Sequence, residues 1–412
     1  MIKNASFPTL LRGLNSFLHH KAMPLLGILF LLGLPVRAQL AYEGSVLDAK
    51  TGKPIPFVNI GVLNRGIGTV SNEDGKFLLQ FYRREVGEGD VLRLSSLGYL
   101  PREVPLSRLN PGVAYFTFRL QPDPIALQEV VVTDKAFLEV EETHGYPDLL
   151  GKGIGYWKDS VALGGELASR IRLRRGLYRL NSLFFHTLEN PSDSLLLRIN
   201  LYSPDSKAGI PGENLNKSRR NILYMLPASK IFSVIDLRPF DIWARNDVIV
   251  SLELLAVYGS KRVGLTLPAG GYPNGKSFRR YASQDSWESI DGAVVGFSLQ
   301  TTLFTDNPRR LPSKREVRKR KRKEREIFGK VFMPGPALPG FSGTYPIQGA
   351  SVRNYTQNQV VETDKWGRYR IKVAQGDVLG VFHPDYHEIF MEIEEPGNLN
   401  FVLKQNNELL WD

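Results

Sequence analysis

The chain has 412 residues and not one cysteine. That absence excludes a disulfide framework, a thiolate metal site and a lipid-modified cysteine behind an export signal. Histidine is nearly as scarce, with six in all and only His144, His186, His383 and His387 beyond residue 38. Beyond that point no apolar run is long enough to cross a bilayer as a helix. An excess of positive charge is also missing from most of the chain, although the formal total is +11. Arg309 to Glu326 contributes +8 and residues 1–38 contribute +4, so the remainder carries −1. A near-neutral body removes the main argument for a nucleic-acid surface.

With 42% hydrophobic residues the sequence has material for two to four cores, which must be held by burial alone. Residues 1–38 read as a signal peptide, with basic residues up to Lys21, an apolar stretch Met23 to Leu34, a break at Pro35 and a small-x-small site at Val36-Arg37-Ala38. Twelve apolar residues cover about 18 Å as a helix, short of the roughly 30 Å hydrocarbon core. The mature chain is expected to begin at Gln39, with no transmembrane segment.

Beyond Gln39 the sequence is β in character. Residues 42–133 alternate short strand patterns with turn signals. The strands are Gly44 to Asp48, Pro56 to Val62, Phe77 to Tyr82, Val91 to Ser95, Tyr115 to Leu120 and Glu129 to Thr133. The stretch Thr69-Val70-Ser71-Asn72-Glu73-Asp74-Gly75-Lys76-Phe77 has a twin in Val361-Glu362-Thr363-Asp364-Lys365-Trp366-Gly367-Arg368-Tyr369. Pro54 to Gly75 and Pro346 to Gly367 are both 21 residues apart, and Gly89 to Tyr99 and Gly376 to Tyr386 both ten. Gly376-Asp377-Val378-Leu379 repeats Gly89-Asp90-Val91-Leu92, and Phe401 to Leu403 stands where Phe118 to Leu120 stood. The sequence thus predicts two copies of one sandwich, at 42–133 and 327–404, each set in register by the same hairpin turn.

The ordered set Gly44-x-Val46, Phe57-Val58-Asn59-Ile60, Ser71 to Phe77, Gly89 to Leu92, Ser95-x-x-Gly98-Tyr99 and Leu127-x-Glu129-Val130-Val131-Val132-Thr133 resembles the carboxypeptidase regulatory-like domain. The resemblance implies a seven-stranded, transthyretin-like (prealbumin-like) sandwich that is not itself catalytic. Such domains occur in exported proteins of Gram-negative bacteria, including the N-terminal extensions of TonB-dependent outer-membrane transporters. A transporter barrel of ~10-residue strands is not expected in the remaining sequence.

Residues 145–307 show about eight further strand patterns between turn pairs such as Pro211-Gly212 and Asn274-Gly275, which predicts a jelly-roll-like sandwich. With its Asp193 to Tyr202 strand, this region is similar to one found in the same exported proteins, a likeness that implies fold but no activity. Tyr272, Tyr281 and Trp287 are its candidate rings for stacking on a glycan, against the plainer role of packing within the sheets. The basic run 308–326, centred on Arg318 to Lys323, reads as a solvated linker, with peripheral electrostatic contact to an anionic surface as the sharper alternative.

Catalytic signals are thin. His186-Thr187-Leu188-Glu189 matches the short zinc-peptidase pattern, but the next histidine lies far away and no helical frame surrounds it. His383 and His387 are too far apart on a straight strand to share an ion, unless the chain turns at Pro384. No strand precedes Gly151 to Gly155 and no acidic residue follows at the distance a βαβ phosphate loop needs, and of the acids at 72–75 the copy at 364–367 keeps only Asp364, which argues against a shared calcium site. The sequence therefore predicts an all-β, non-enzymatic exported envelope protein for binding or assembly, located in the periplasm or at the outer membrane or cell surface. It needs no cofactor or metal, and its partner is an unknown envelope protein or glycan, not nucleic acid. Carbohydrate binding by the middle region is the first alternative, a cryptic metallo-peptidase or hydrolase the second.

Overall fold

The computed structural model describes residues 39–109, 115–124, 137–146, 153–155, 163–228, 230, 232–259, 264–311, 313, 315, 323–335, 343–357 and 359–404. The expected signal segment, the Glu129 to Thr133 run and the centre of the basic stretch lie outside them. Arg315 and Lys323, near either end of that stretch, have helical backbone; elsewhere the described elements are strands and single 3-10 turns.

The first sandwich holds β1 (Gln39–Asp48), β2 (Asn59–Val62), β3 (Ile67–Val70), β4 (Lys76–Tyr82), β5 (Val91–Ser95), β6 (Arg102–Pro105) and β7 (Phe116–Leu120). One sheet has the order β4-β1-β7 and the other β3-β2-β5-β6, with β1 antiparallel to β4 and parallel to β7. The period-2 pattern explains the core: Phe77, Leu79 and Phe81 point inward from β4 while Lys76, Leu78 and Gln80 face solvent. Strand β6 is not announced by its sequence, because Arg102-Glu103-Val104-Pro105 shows neither a buried face nor alternation.

The central sandwich contains β8 (Leu138–Gly145), β9 (Gly153–Gly155), β10 (Glu166–Ile171), β11 (Leu177–His186), β12 (Ser194–Pro204), β13 (Pro211–Asn214), β14 (Ile222–Pro227), β15 (Phe232–Asp236), β16 (Trp243–Ala244), β17 (Val248–Tyr258), β18 (Thr266–Gly270), β19 (Ser277–Arg280), β20 (Glu288–Ile290), β21 (Val294–Val295) and β22 (Phe297–Thr305). A seven-stranded sheet, β13-β12-β17-β10-β19-β20 with β14 on β12, faces a five-stranded sheet, β15-β11-β22-β8 with β16 on β11. Leu167, Leu183, Leu197, Val250, Leu252 and Leu299 lie between them. The central sheets begin earlier than Gly145, since β8 pairs along β22 from Leu138 onward. The three glutamates of β8 are carried on an edge strand, which accepts such charge readily. Gly153 to Gly155 is a strand paired with β18, not a loop.

The third sandwich repeats the first. Its strands are β23 (Arg325–Pro334), β24 (Thr344–Pro346), β25 (Ser351–Asn354), β26 (Gln359–Glu362), β27 (Arg368–Val373), β28 (Val378–His383), β29 (Tyr386–Glu392) and β30 (Phe401–Val402). The orders β27-β23-β30 and β26-β25-β28-β29 match those of the first sandwich strand for strand; β24 is an addition in the longer loop after β23. The two repeated turns are held alike. Asn72 Oδ1 accepts from the amides of Asp74 and Lys76 at 3.0 and 2.9 Å, and Asp364 Oδ1 accepts from those of Trp366 and Arg368, both at 2.9 Å. Gly75 and Gly367 sit at φ +73° and +71°. A Cβ on Gly75 would lie 2.7 Å from the Val46 carbonyl, and one on Gly367 2.5 Å from that of Val331. Gly75→Val is therefore expected to destabilise the first sandwich by about 1–3 kcal/mol. Thermal unfolding of the variant should show a lower midpoint; an unchanged midpoint would contradict this role for the turn.

Candidate functional site

The long strands of the seven-stranded sheet are buried on both faces. On β12, Leu195, Leu197, Ile199 and Leu201 enter the core, so Arg198, Asn200 and Tyr202 emerge on the opposite face. Register then lines up one row of charge across four strands: Arg198 opposite Glu253 on β17, Glu253 opposite Glu166 on β10, and Glu166 opposite Arg280 on β19. Both glutamates are fully buried and Arg198 is 5% exposed. Adjacent like charges are unfavourable unless each is answered from its other side.

That condition is met. Arg198 Nε and Nη2 donate to the two oxygens of Glu253 at 2.8 and 2.7 Å, and Asn200 Nδ2 donates at 2.7 Å. Arg280 binds Glu166, which also accepts from the Ser251 and Tyr202 hydroxyls. Burial, opposed by Arg280 and reinforced by Glu253, holds the Glu166 carboxyl above its ordinary value. Burial acts the same way on Glu253, but the charge and hydrogen bonds of Arg198 outweigh it and the group titrates low. Burial and the neighbouring Glu166 push the Tyr202 phenol well up.

The first sandwich docks on this row. Arg198 Nη1 donates to the Phe57 carbonyl at 2.8 Å and Nη2 to Asn59 Oδ1 at 2.5 Å. Phe57 stands at φ +56°, a conformation unusual for a bulky residue, with its ring near Val70, Leu196 and Leu255. The chain around Ser283 seats between glycines: a Cβ on Gly61 would be 2.0 Å, and on Gly68 2.6 Å, from the Ser283 carbonyl. Gln284 ties the seam further, its carbonyl accepting from Asn64 N at 3.1 Å and its Nε2 donating to Ser95 Oγ at 2.7 Å.

Beside this seam lies a cleft of about 340 Å³. Its walls are Asn59, Arg93, Ser95 and Ser96 from the first sandwich, and Arg198, Asn200, Tyr202, Asn221, Arg280 and Trp287 from the central one. The Arg280 guanidinium lies over the Trp287 ring at 5.0 Å, and Tyr202 meets that ring edge-on at 6.0 Å. Guanidinium, amide and indole groups thus converge on one cavity. The glutamates that fix them are not among its walls.

The residues singled out from sequence fall apart by comparison. Of the three ring candidates only Trp287 reaches the cleft; Tyr272 packs on Tyr146 at 4.8 Å and Tyr281 under Arg279 at 4.9 Å. His186 points at the third sandwich, its Nε2 3.5 Å from Glu392 Oε2, on the wall of a mainly apolar cavity of about 200 Å³ with Phe184, Phe232 and Val378. Glu189 forms a bridge with Thr266 instead. The chain does turn at Pro384, where β28 and β29 form a hairpin; the His387 side chain lies outside the described residues. Among the described residues no three His, Asp or Glu side chains gather as a metal site would require. The row itself had a sequence signal: Arg198 and Asn200 inside Leu195 to Leu201, and Glu253 inside Val248 to Leu255, interrupt otherwise apolar strands.

Residues 42–132 match the family described as CarboxypepD_reg-like domain. The first sandwich is a carboxypeptidase regulatory-like domain. A relative is the TonB-dependent receptor SusC of Bacteroides thetaiotaomicron, 31% identical over 121 residues, which are 28% of this chain and 11% of that protein. The chain thus spans about a tenth of the length of the receptor it matches. Among solved structures, the major pilin subunit BcpA of Bacillus cereus aligns over 90% of this chain and 99% of its own at 8% identity, with a TM-score of 0.15. The infectious bursal disease virus Gt strain structure aligns over 69% of each chain at 14% identity, with a TM-score of 0.21. Such scores are too low to carry a conclusion about fold or function. The regulatory-like domain supplies one wall of the cleft and the central sandwich the other.

Proposed function

We propose that this protein is an exported, non-enzymatic binding protein of the cell envelope, in the periplasm or at the surface. In this proposal residues 1–38 are a signal peptide, 42–133 the regulatory-like domain, 145–307 the body of the central sandwich, 308–326 a basic linker and 327–404 a diverged second regulatory-like domain. The observation that carries the binding role is the cleft at the seam. Its recognition groups are fixed from behind by buried carboxylates, so a ligand would meet them already oriented. The relationship to a TonB-dependent receptor supports the compartment. No helix among the described residues is long and apolar enough to cross a membrane, a statement that leaves β-barrels aside.

Within this role a saccharide is favoured over a protein partner by Trp287. An indole beside several amides offers a ring face for a sugar and planar donor and acceptor pairs for its hydroxyls. Trp287→Ala should abolish retention on a glycan array while leaving the unfolding midpoint within a few degrees of wild type. Retention of an envelope protein instead, undiminished in Trp287→Ala, would place the function in assembly.

A further inference from the structure

The cleft between the regulatory-like domain and the central sandwich has walls that are unbalanced in charge. Arg93, Arg198 and Arg280 line it, and no aspartate or glutamate does. The carboxylates that answer Arg198 and Arg280 stand beside them in the same row, each fully buried. Arg93 is different. It comes from β5, opposite Glu103 on β6, and forms only a long ion pair with it, its Nε 3.8 Å from a Glu103 oxygen and beyond hydrogen-bond reach. That Nε is buried and has no hydrogen-bond partner among the described residues. An acidic group in the cleft would meet an arginine whose own ion pair is long.

The amides do not supply that acceptor. Asn59 Oδ1 already accepts from Arg198, Asn200 Oδ1 from Asn214, and Asn221 Oδ1 lies 3.5 Å from Arg198 Nη1. Several amide oxygens on the walls are thus engaged by the protein, and the cleft offers an excess of donors, three of its groups being guanidiniums. A neutral sugar presents both donors and acceptors and would leave part of that excess unmatched. A ring bearing a carboxylate matches it, since guanidinium binds carboxylate through two parallel hydrogen bonds. The volume, about 340 Å³, lies at the small end of small-molecule sites, which run from roughly 300 to 1,000 Å³.

We infer that the cleft takes an acidic saccharide, a uronate- or sialate-type residue whose carboxylate lies against Arg93 and whose ring faces Trp287. This rests on the saccharide reading of the cleft and narrows it to one charge class. Arg93 is the specificity determinant, because Arg198 and Arg280 are already committed to the buried row. The uronate carboxylate forms no covalent bond with the protein, and nothing is transferred.

The test uses the full mature chain on an array of uronate- and sialate-terminated glycans, each printed beside its methyl ester, which keeps the shape and removes the charge. The best acidic glycan and its ester are then titrated calorimetrically against wild type, Arg93→Gln, Arg93→Lys and Trp287→Ala. The acid is expected to bind about tenfold or more tightly than the ester, the factor that one charge-assisted hydrogen bond supplies. Arg93→Gln should remove that preference, Arg93→Lys restore part of it, and Trp287→Ala weaken acid and ester alike. An ester that binds as tightly as the acid would overturn the inference and leave the saccharide site standing. An array with no retained glycan of either kind would overturn both. Acid binding unchanged in Arg93→Gln and Trp287→Ala would place the carboxylate elsewhere on the protein and likewise overturn it. Arg93 is partly exposed and outside the Arg198–Glu253 pair, so unfolding midpoints should confirm that its variants fold.

Discussion

Arg198→Met is expected to lower the stability of the central sandwich by about 3–5 kcal/mol, the range for removing one partner of a buried ion pair. The cause is mainly what is left behind. Glu253 would remain fully buried beside Glu166, with Asn200 as its chief remaining donor. Glu253 carries the lowered carboxyl of the pair, so it is the one whose charged form the fold relies on. The double variant Arg198→Met/Glu253→Leu should recover most of the loss, because two apolar side chains can replace a buried pair at little cost. Chemical denaturation of the wild type and these variants checks both statements. A single variant as stable as wild type would mean that solvent reaches Glu253 through the seam. Arg198→Met should also loosen the docked regulatory-like domain, since the same guanidinium holds the Phe57 carbonyl and Asn59.

The second large effect is expected from Gly61→Val. A Cβ at that position would lie 2.0 Å from the Ser283 carbonyl oxygen, and the obstacle is backbone, not a side chain that can swing away. Overpacking against side chains costs typically about 1–3 kcal/mol, and against main chain more. The strain falls on the seam, because the inward face of β2 is carried by Ile60 and Val62. Gly61→Val should therefore part the two sandwiches without melting the core of either. Small-angle scattering should show a larger radius of gyration, and the glycan binding proposed for the cleft should be lost with the seam. An unchanged radius with unchanged binding would show that the Ser283 segment yields instead.

Much of the architecture was open to reading because it obeys local rules. The paired turns at Asn72 to Gly75 and Asp364 to Gly367 declare themselves through a glycine at positive φ, set at the same distance from a preceding proline in both copies. Strands β4 and β7 show alternation because each has one solvated face. The central sheet hides its function for the opposite reason: β12 and β17 are buried on both faces, so period 2 disappears into a continuous apolar run. Arg198 and Glu253 stand out there as single interruptions, yet nothing local says that they face each other across two strands 55 residues apart. The cleft is less legible still. It joins Arg93 from one sandwich to Trp287 from another, and only the seam brings them together.

The parallel pairing of β1 with β7 has a mechanical consequence. A chain that enters a sandwich on one strand and leaves on a parallel neighbour enters at one pole and exits at the other. Tension applied along the polypeptide then drags the two strands past each other and loads every hydrogen bond between them at once, in shear, instead of peeling them one by one. In the regulatory-like domain this pairing runs from Gly44 and Phe116 to Asp48 and Leu120, whereas β23 and β30 share only Val331 with Phe401 and Phe332 with Val402. Under such a load the two repeated sandwiches differ in the length of this clamp, and the regulatory-like domain carries the longer one.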